Sequence, residues 1–75
     1  MIKLYYLPEC PYCKKVIKAI EDLGLGCEKF DINESENLEY LIKVGGKKQV
    51  PFIVDTDNDK KMYESDDIIE YLKTL

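Results

Sequence analysis

Two rhythms of apolar residues alternate along this chain. Ile2-Lys3-Leu4-Tyr5-Tyr6-Leu7 is a short run rich in aliphatic and aromatic residues, which predicts a buried strand over 2–7. Val16, Ile17, Ile20 and Leu23 then recur at helical spacing. Pro11 can open that helix, because a first helical residue has no intrahelical use for its N–H. Gly24 and Gly26 end it. Glu28 to Ile32 predicts a second strand, with Phe30 and Ile32 on one face and Lys29 and Asp31 on the other. Asn33 to Ser35 offer N-caps, and Asn33 with Glu36 has capping-box spacing. Leu38, Leu41 and Ile42 form the stripe of a second helix, which Gly45-Gly46 stops. Pro51-Phe52-Ile53-Val54 predicts a third strand, Asp57-Asn58-Asp59 a turn, and Lys60 to Tyr63 a short fourth strand. Ser65 is expected to cap a last helix carrying Ile68, Ile69, Leu72 and Leu75.

The predicted order is β-α-β-α-β-β-α. A helix between the first two strands makes them parallel, with a right-handed connection. The tight turn between the last two makes an antiparallel hairpin. The expected fold class is therefore α/β, a four-stranded mixed sheet covered by helices, which is the thioredoxin-like architecture in its smallest form.

Seventy-five residues make a single domain, 1–75. A net charge of -4 gives no basic face for nucleic acid. No apolar run approaches the roughly 20 residues of a membrane span, and no secretory leader opens the chain. Three cysteines is an odd count for a disulfide-stapled secreted protein, so cytoplasmic residence is expected. Nothing suggests an obligate dimer, and a monomer is expected.

The chemistry centres on Cys10-Pro11-Tyr12-Cys13, where the first strand hands over to the first helix. A Cys-x-x-Cys pair in a βαβ setting reads as a thioredoxin-like redox motif. Cys10 falls at the N-cap, where unpaired N–H groups and the helix dipole favour its thiolate, the attacking species. Lys14 and Lys15 add screened positive potential. Cys13, one turn deeper, is expected to keep its proton and act as the resolving thiol. The competing reading is half of a zinc site, but the chain has no histidine, and Cys27 is the only other thiol. Cys27 itself reads as a small buried apolar residue. Asp55, Asp57 and Asp59 alternate like the start of a calcium loop, yet Lys60 stands where such a loop needs glycine, so no metal is expected.

Cys10-Pro11-Tyr12-Cys13 resembles the active site of glutaredoxins, and the likeness extends along nearly the whole chain. Gly45 to Pro51 resembles the glutaredoxin segment ending in Thr-Val-Pro, with Gln49 in place of threonine, and Ser65-Asp66 falls where that family carries a Ser-Asp or Asp-Asp pair. The resemblance implies a thiol-disulfide oxidoreductase that uses glutathione as reductant on disulfide-bearing or glutathionylated proteins. It makes Cys10 and Cys13 the catalytic pair, with Cys10 attacking and Cys13 closing a disulfide. It implies a cis Pro51, a Val50 backbone that pairs with glutathione like an added strand, and Tyr12 flanking the bound tripeptide. The Ser65 N–H suits the γ-glutamyl carboxylate. Asp66 suits the γ-glutamyl amine, and Lys48 or Lys47 the glycine carboxylate.

Two departures stand out. Leu7 replaces a lysine that many glutaredoxins carry three residues before the first cysteine. Met62-Tyr63 replaces the diglycine before the last helix, and Glu64 to Leu72 looks more like the thioredoxin-like domain of glutathione transferases, where a Glu-Ser pair grips the γ-glutamyl group. Two other readings follow from the same residues: a thioredoxin-like electron donor fed by a reductase, and a module that binds glutathione or an iron–sulfur cluster.

Overall fold

The computed structural model describes residues 1–75. Seven elements follow the predicted order: β1 (Ile2–Tyr6), α1 (Pro11–Asp22), β2 (Cys27–Asp31), α2 (Ser35–Gly45), β3 (Phe52–Asp55), β4 (Lys60–Tyr63) and α3 (Ser65–Leu72). They build one four-stranded sheet in the order β2-β1-β3-β4. β1 runs parallel to β2 and antiparallel to β3, and β4 returns antiparallel beside β3. The expected mixed thioredoxin-like sheet is what the chain forms. No helix is long and apolar enough to cross a membrane.

Alternation along the strands sorts the core onto two faces. Ile2, Leu4 and Ile53 pack with Val16 and Ile20 of α1 and Ile68 and Leu72 of α3. Tyr5, Phe52 and Val54 pack on the opposite face with Ile32 and with Leu41 of α2. All four residues of β3 are buried, as a central strand covered on both sides requires. The outer strands are different. Lys60 and Lys61 on β4 and Glu28 and Lys29 on β2 are exposed, so both sheet margins carry charge.

Three local expectations are corrected. Asn33 does not cap α2, because the Asp31 carboxylate accepts the Asn33 N–H at 2.8 Å in an Asx turn and Glu34 becomes the N-cap. Ile42 leaves the apolar stripe and is 46% exposed, as α2 turns Leu41 inward with Leu38 and Val44 beside it. Ser65 is the first residue of α3 and not its cap. A single residue joins β4 to α3, and that residue, Glu64, takes the turn with φ 70°.

The sheet register fixes where chemistry can occur. Tyr5, Phe52 and Tyr63 form one row across β1, β3 and β4. The chain beyond each of these residues leaves the same end of the sheet: forward from β1 to Cys10, backward from β3 to Val50-Pro51, and forward from β4 to Glu64-Ser65. Three segments far apart in sequence are thereby gathered at one edge.

Candidate active site

Cys10 is the N-cap of α1, with extended backbone (φ -75°, ψ 119°), and Pro11 follows it as the first helical residue. The Cys10 N–H donates to the Leu7 carbonyl at 3.1 Å, closing a turn over Pro8-Glu9, and its carbonyl accepts the Lys14 N–H at 3.1 Å as the first bond of the helix. The cysteine is thus pinned through its backbone, while its side chain makes no capping hydrogen bond and remains partly exposed. Cys13, one turn further, is fully buried. Burial pushes its thiol up to about 12, and the adjacent Cys10 pushes the same way against an opposing contribution from the Leu7 backbone. It therefore holds its proton throughout the neutral range. The sequence reading of an accessible first sulfur and a deeper second one matches this placement. All three cysteines are free thiols.

Tyr12, between the two cysteines, borders an open groove of about 560 Å³, which neither Cys10 nor Cys13 lines. It brings together five of the residues singled out from sequence: Tyr12, Val50, Pro51, Ser65 and Asp66. The Val50–Pro51 peptide is cis. Ser65 is buried at the start of α3, while Tyr12 stands 62% exposed at the rim. Lys48 is exposed and does not line the groove. Its neighbour Lys47 lays its ammonium 4.8 Å from the centre of the Tyr63 ring, and the Tyr63 hydroxyl donates to the Lys47 carbonyl at 2.8 Å. Gly45 makes this arrangement possible, since a Cβ there would collide with the Tyr63 hydroxyl.

Gln49, Glu64 and Asp67 also line the groove. The sequence marked Gln49 and Glu64 only through the family segments they belong to, and Asp67 not at all. Gln49 Nε2 donates to Glu64 Oε1 at 3.0 Å, joining the segment before Pro51 to the start of α3. Lys15 pairs with Asp66, joining α1 to α3. The available signal was adjacency: Gln49 directly precedes Val50-Pro51, and Glu64 and Asp67 flank Ser65-Asp66.

Cys27 is half-buried on β2, packs against the aliphatic core, and directs its thiol to the Glu28 carbonyl at 3.4 Å. It takes no part in the groove. Burial raises its thiol above the usual range, with Lys29 pulling the other way.

The family described as "Glutathione S-transferase, N-terminal domain" matches residues 4–75. The chain belongs to this family. Its likeness to glutaredoxins holds as well. A probable glutaredoxin of Acanthamoeba polyphaga mimivirus is 36% identical over 42 residues, covering 55% of this chain and 40% of the relative. Glutaredoxin 1 of Rickettsia conorii is 33% identical over 55 residues, covering 69% of this chain and 54% of the relative. The chain thus spans about half the length of the curated relatives it matches. Among solved structures, glutathione transferase Omega 3C from Trametes versicolor superposes with a TM-score of 0.85 at 25% identity, over 97% of this chain and 32% of that one. A thioredoxin-like protein superposes with a TM-score of 0.84 at 21% identity, over 99% of this chain and 97% of that one, which speaks for the fold alone.

Proposed function

We propose that the chain is a glutathione-dependent thiol-disulfide oxidoreductase of the dithiol glutaredoxin kind. The observation that carries this reading is the pairing of a partly exposed Cys10 at a helix start with a fully buried, proton-bearing Cys13 one turn on. The Cys10 thiolate attacks one sulfur of a substrate disulfide, a mixed disulfide forms, and the other sulfur leaves as a thiolate. Cys13 then passes its proton to the released thiolate and attacks the Cys10 sulfur. The substrate's second thiol is released and a Cys10–Cys13 disulfide remains. Two glutathione molecules reduce that bond and leave as glutathione disulfide. On a glutathione mixed disulfide, Cys10 takes the glutathionyl group and a second glutathione removes it, so Cys13 is not needed.

The groove supplies the glutathione site. The Val50 backbone pairs with the tripeptide as an added strand. The N–H at Ser65, first residue of α3, meets the γ-glutamyl carboxylate. Asp66 takes the amine, Tyr12 covers the tripeptide, and Lys48, with Lys47, serves the glycine carboxylate from outside the groove. Glutaredoxin relatives and membership in a glutathione transferase domain family both support this choice of reductant.

The test is turnover of a small glutathione mixed disulfide coupled to glutathione reductase, beside reduction of a protein disulfide. Cys10→Ser is expected to abolish both. Cys13→Ser is expected to retain the first and lose most of the second. The reverse pattern would sink the assignment of roles. Efficient reduction of the oxidised protein by a flavin reductase, with none by glutathione, would favour a thioredoxin-like electron donor instead.

A further inference from the structure

Two carboxylates of the groove are already engaged from within the protein. Glu64 is held by Gln49 at 3.0 Å, and Asp66 by the ammonium of Lys15, which reaches across from α1 to the first turn of α3. The second contact matters more. Asp66 is the only proposed partner for a primary amine in the ligand, and a lysine side chain presents that same functional group. One carboxylate therefore faces two ammonium groups, one built in and one arriving.

We infer that Lys15 is a specificity-determining residue: its ammonium already engages Oδ1 of Asp66, so a γ-glutamyl amine arriving at that carboxylate competes with it. This inference rests on the reading of the groove as a glutathione site. The side chains of Lys15 and Asp66 are 51% and 81% exposed. Contacts this open to water shift an equilibrium by no more than roughly fivefold. The built-in ammonium is thus a displaceable competitor and not a lock. A ligand whose amine is blocked has nothing to gain at Asp66. The pair consequently lowers affinity for amine-bearing ligands selectively and narrows the gap between them and their acylated forms.

The experiment measures dissociation constants by NMR titration of the full chain. The probes are S-methylglutathione and the same compound acetylated on its α-amine. The proteins are the wild type, Lys15→Gln, Asp66→Asn and the double variant. Lys15→Gln is expected to tighten S-methylglutathione roughly two- to fivefold without tightening the acetylated probe. Asp66→Asn is expected to weaken S-methylglutathione, and in its background Lys15→Gln should change nothing. Equal shifts for both probes would reduce Lys15 to a general electrostatic contributor and overturn the inference, as would weaker S-methylglutathione binding by Lys15→Gln. If neither probe binds and the wild type turns over no glutathione, the glutathione reading fails and this inference with it. If glutathione is turned over but the two probes respond alike, only the inference falls.

Discussion

Beneath α1 and α3 the fully buried cluster is aliphatic, Ile2, Leu4, Ile53 and their helical partners, with Tyr6 and Tyr71 only partly buried against it. The other face, under the single helix α2, is organised round rings. Tyr5 stacks on Phe30 at 5.0 Å and on Tyr40 at 5.4 Å, and Phe52 meets Tyr63 at 4.5 Å. The aliphatic face is closed by two helices, α1 and α3, which Lys15 and Asp66 join near their N-terminal ends. The aromatic face is less covered, with Tyr40 and Ile42 partly in solvent. Its rings support the segment that carries Lys47, Val50 and Pro51. Each face therefore has its own part in the groove: one orients the helix starts, the other shapes the loop opposite them.

The largest expected effect tests the closed face. Leu4 is fully buried at the middle of β1, and Leu4→Ala should cost about 2–5 kcal/mol in urea unfolding, since the cavity has two helices above it and little room to collapse. Leu41→Ala on the aromatic face should fall at the lower end of that range, because a single, partly uncovered helix can settle toward the sheet. Equal losses would erase the difference between the faces.

Next comes Gly45→Ala. The new methyl group would collide with the Tyr63 hydroxyl, and overpacking of this kind costs about 1–3 kcal/mol. Tyr63→Phe in the same chain should recover part of the loss, as read from thermal melts of the single and double variants. Full stability of Gly45→Ala alone would show that Tyr63 moves freely and that the aromatic face is softer than its stacking implies.

A third test probes the end of the sheet away from the groove. Asp55 is buried and accepts the Tyr71 hydroxyl at 2.5 Å and Asn58 Nδ2 at 2.8 Å, tying α3 to the β3–β4 hairpin. The Asn58 side chain first, and then the Tyr71 hydroxyl, hold its carboxyl below the usual carboxylate range. A carboxyl lowered in the folded state stabilises the protein above its unfolded pKa, near 3.9, and that contribution fades as pH falls through the folded value. Tyr71→Phe should cost about 1–3 kcal/mol at pH 7 and flatten the acid limb of a stability–pH curve. The hydrogen bond to Asp55 also raises the Tyr71 phenol. Stability from this group is complete below its unfolded pKa, near 10, and is lost as pH rises through the folded value, so the alkaline limb should flatten too.

The smallest effect belongs to Ile42→Lys. On an exposed position of α2 it should change stability by no more than about 0.5 kcal/mol. A larger loss would mean that the aromatic face depends on Ile42 after all.

Much of this organisation was legible in the residues. The strands fall within a residue or so of their expected positions, because apolar runs and turn residues are local signals. The Cys10 N-cap was legible for the same reason: Pro11 marks a helix start by its own covalent structure. What escaped detection depends on partners distant in the chain or on competition between neighbours. Asp31 outcompetes the capping box of Asn33 and Glu36 for the Asn33 N–H. Glu64 takes the cap position from Ser65 because β4 ends one residue before the helix must begin. The Lys15–Asp66 and Gln49–Glu64 contacts join residues 51 and 15 positions apart, and only the sheet register brings them together.

The charged margins of the sheet have a consequence for how many copies can share a solution. An outermost strand offers unpaired backbone groups to any passing chain, which is how sheets zip into fibrils. Here such an encounter would have to desolvate Lys60 and Lys61 along β4, or Glu28 and Lys29 along β2. Strand-to-strand pairing between copies is therefore opposed at both margins.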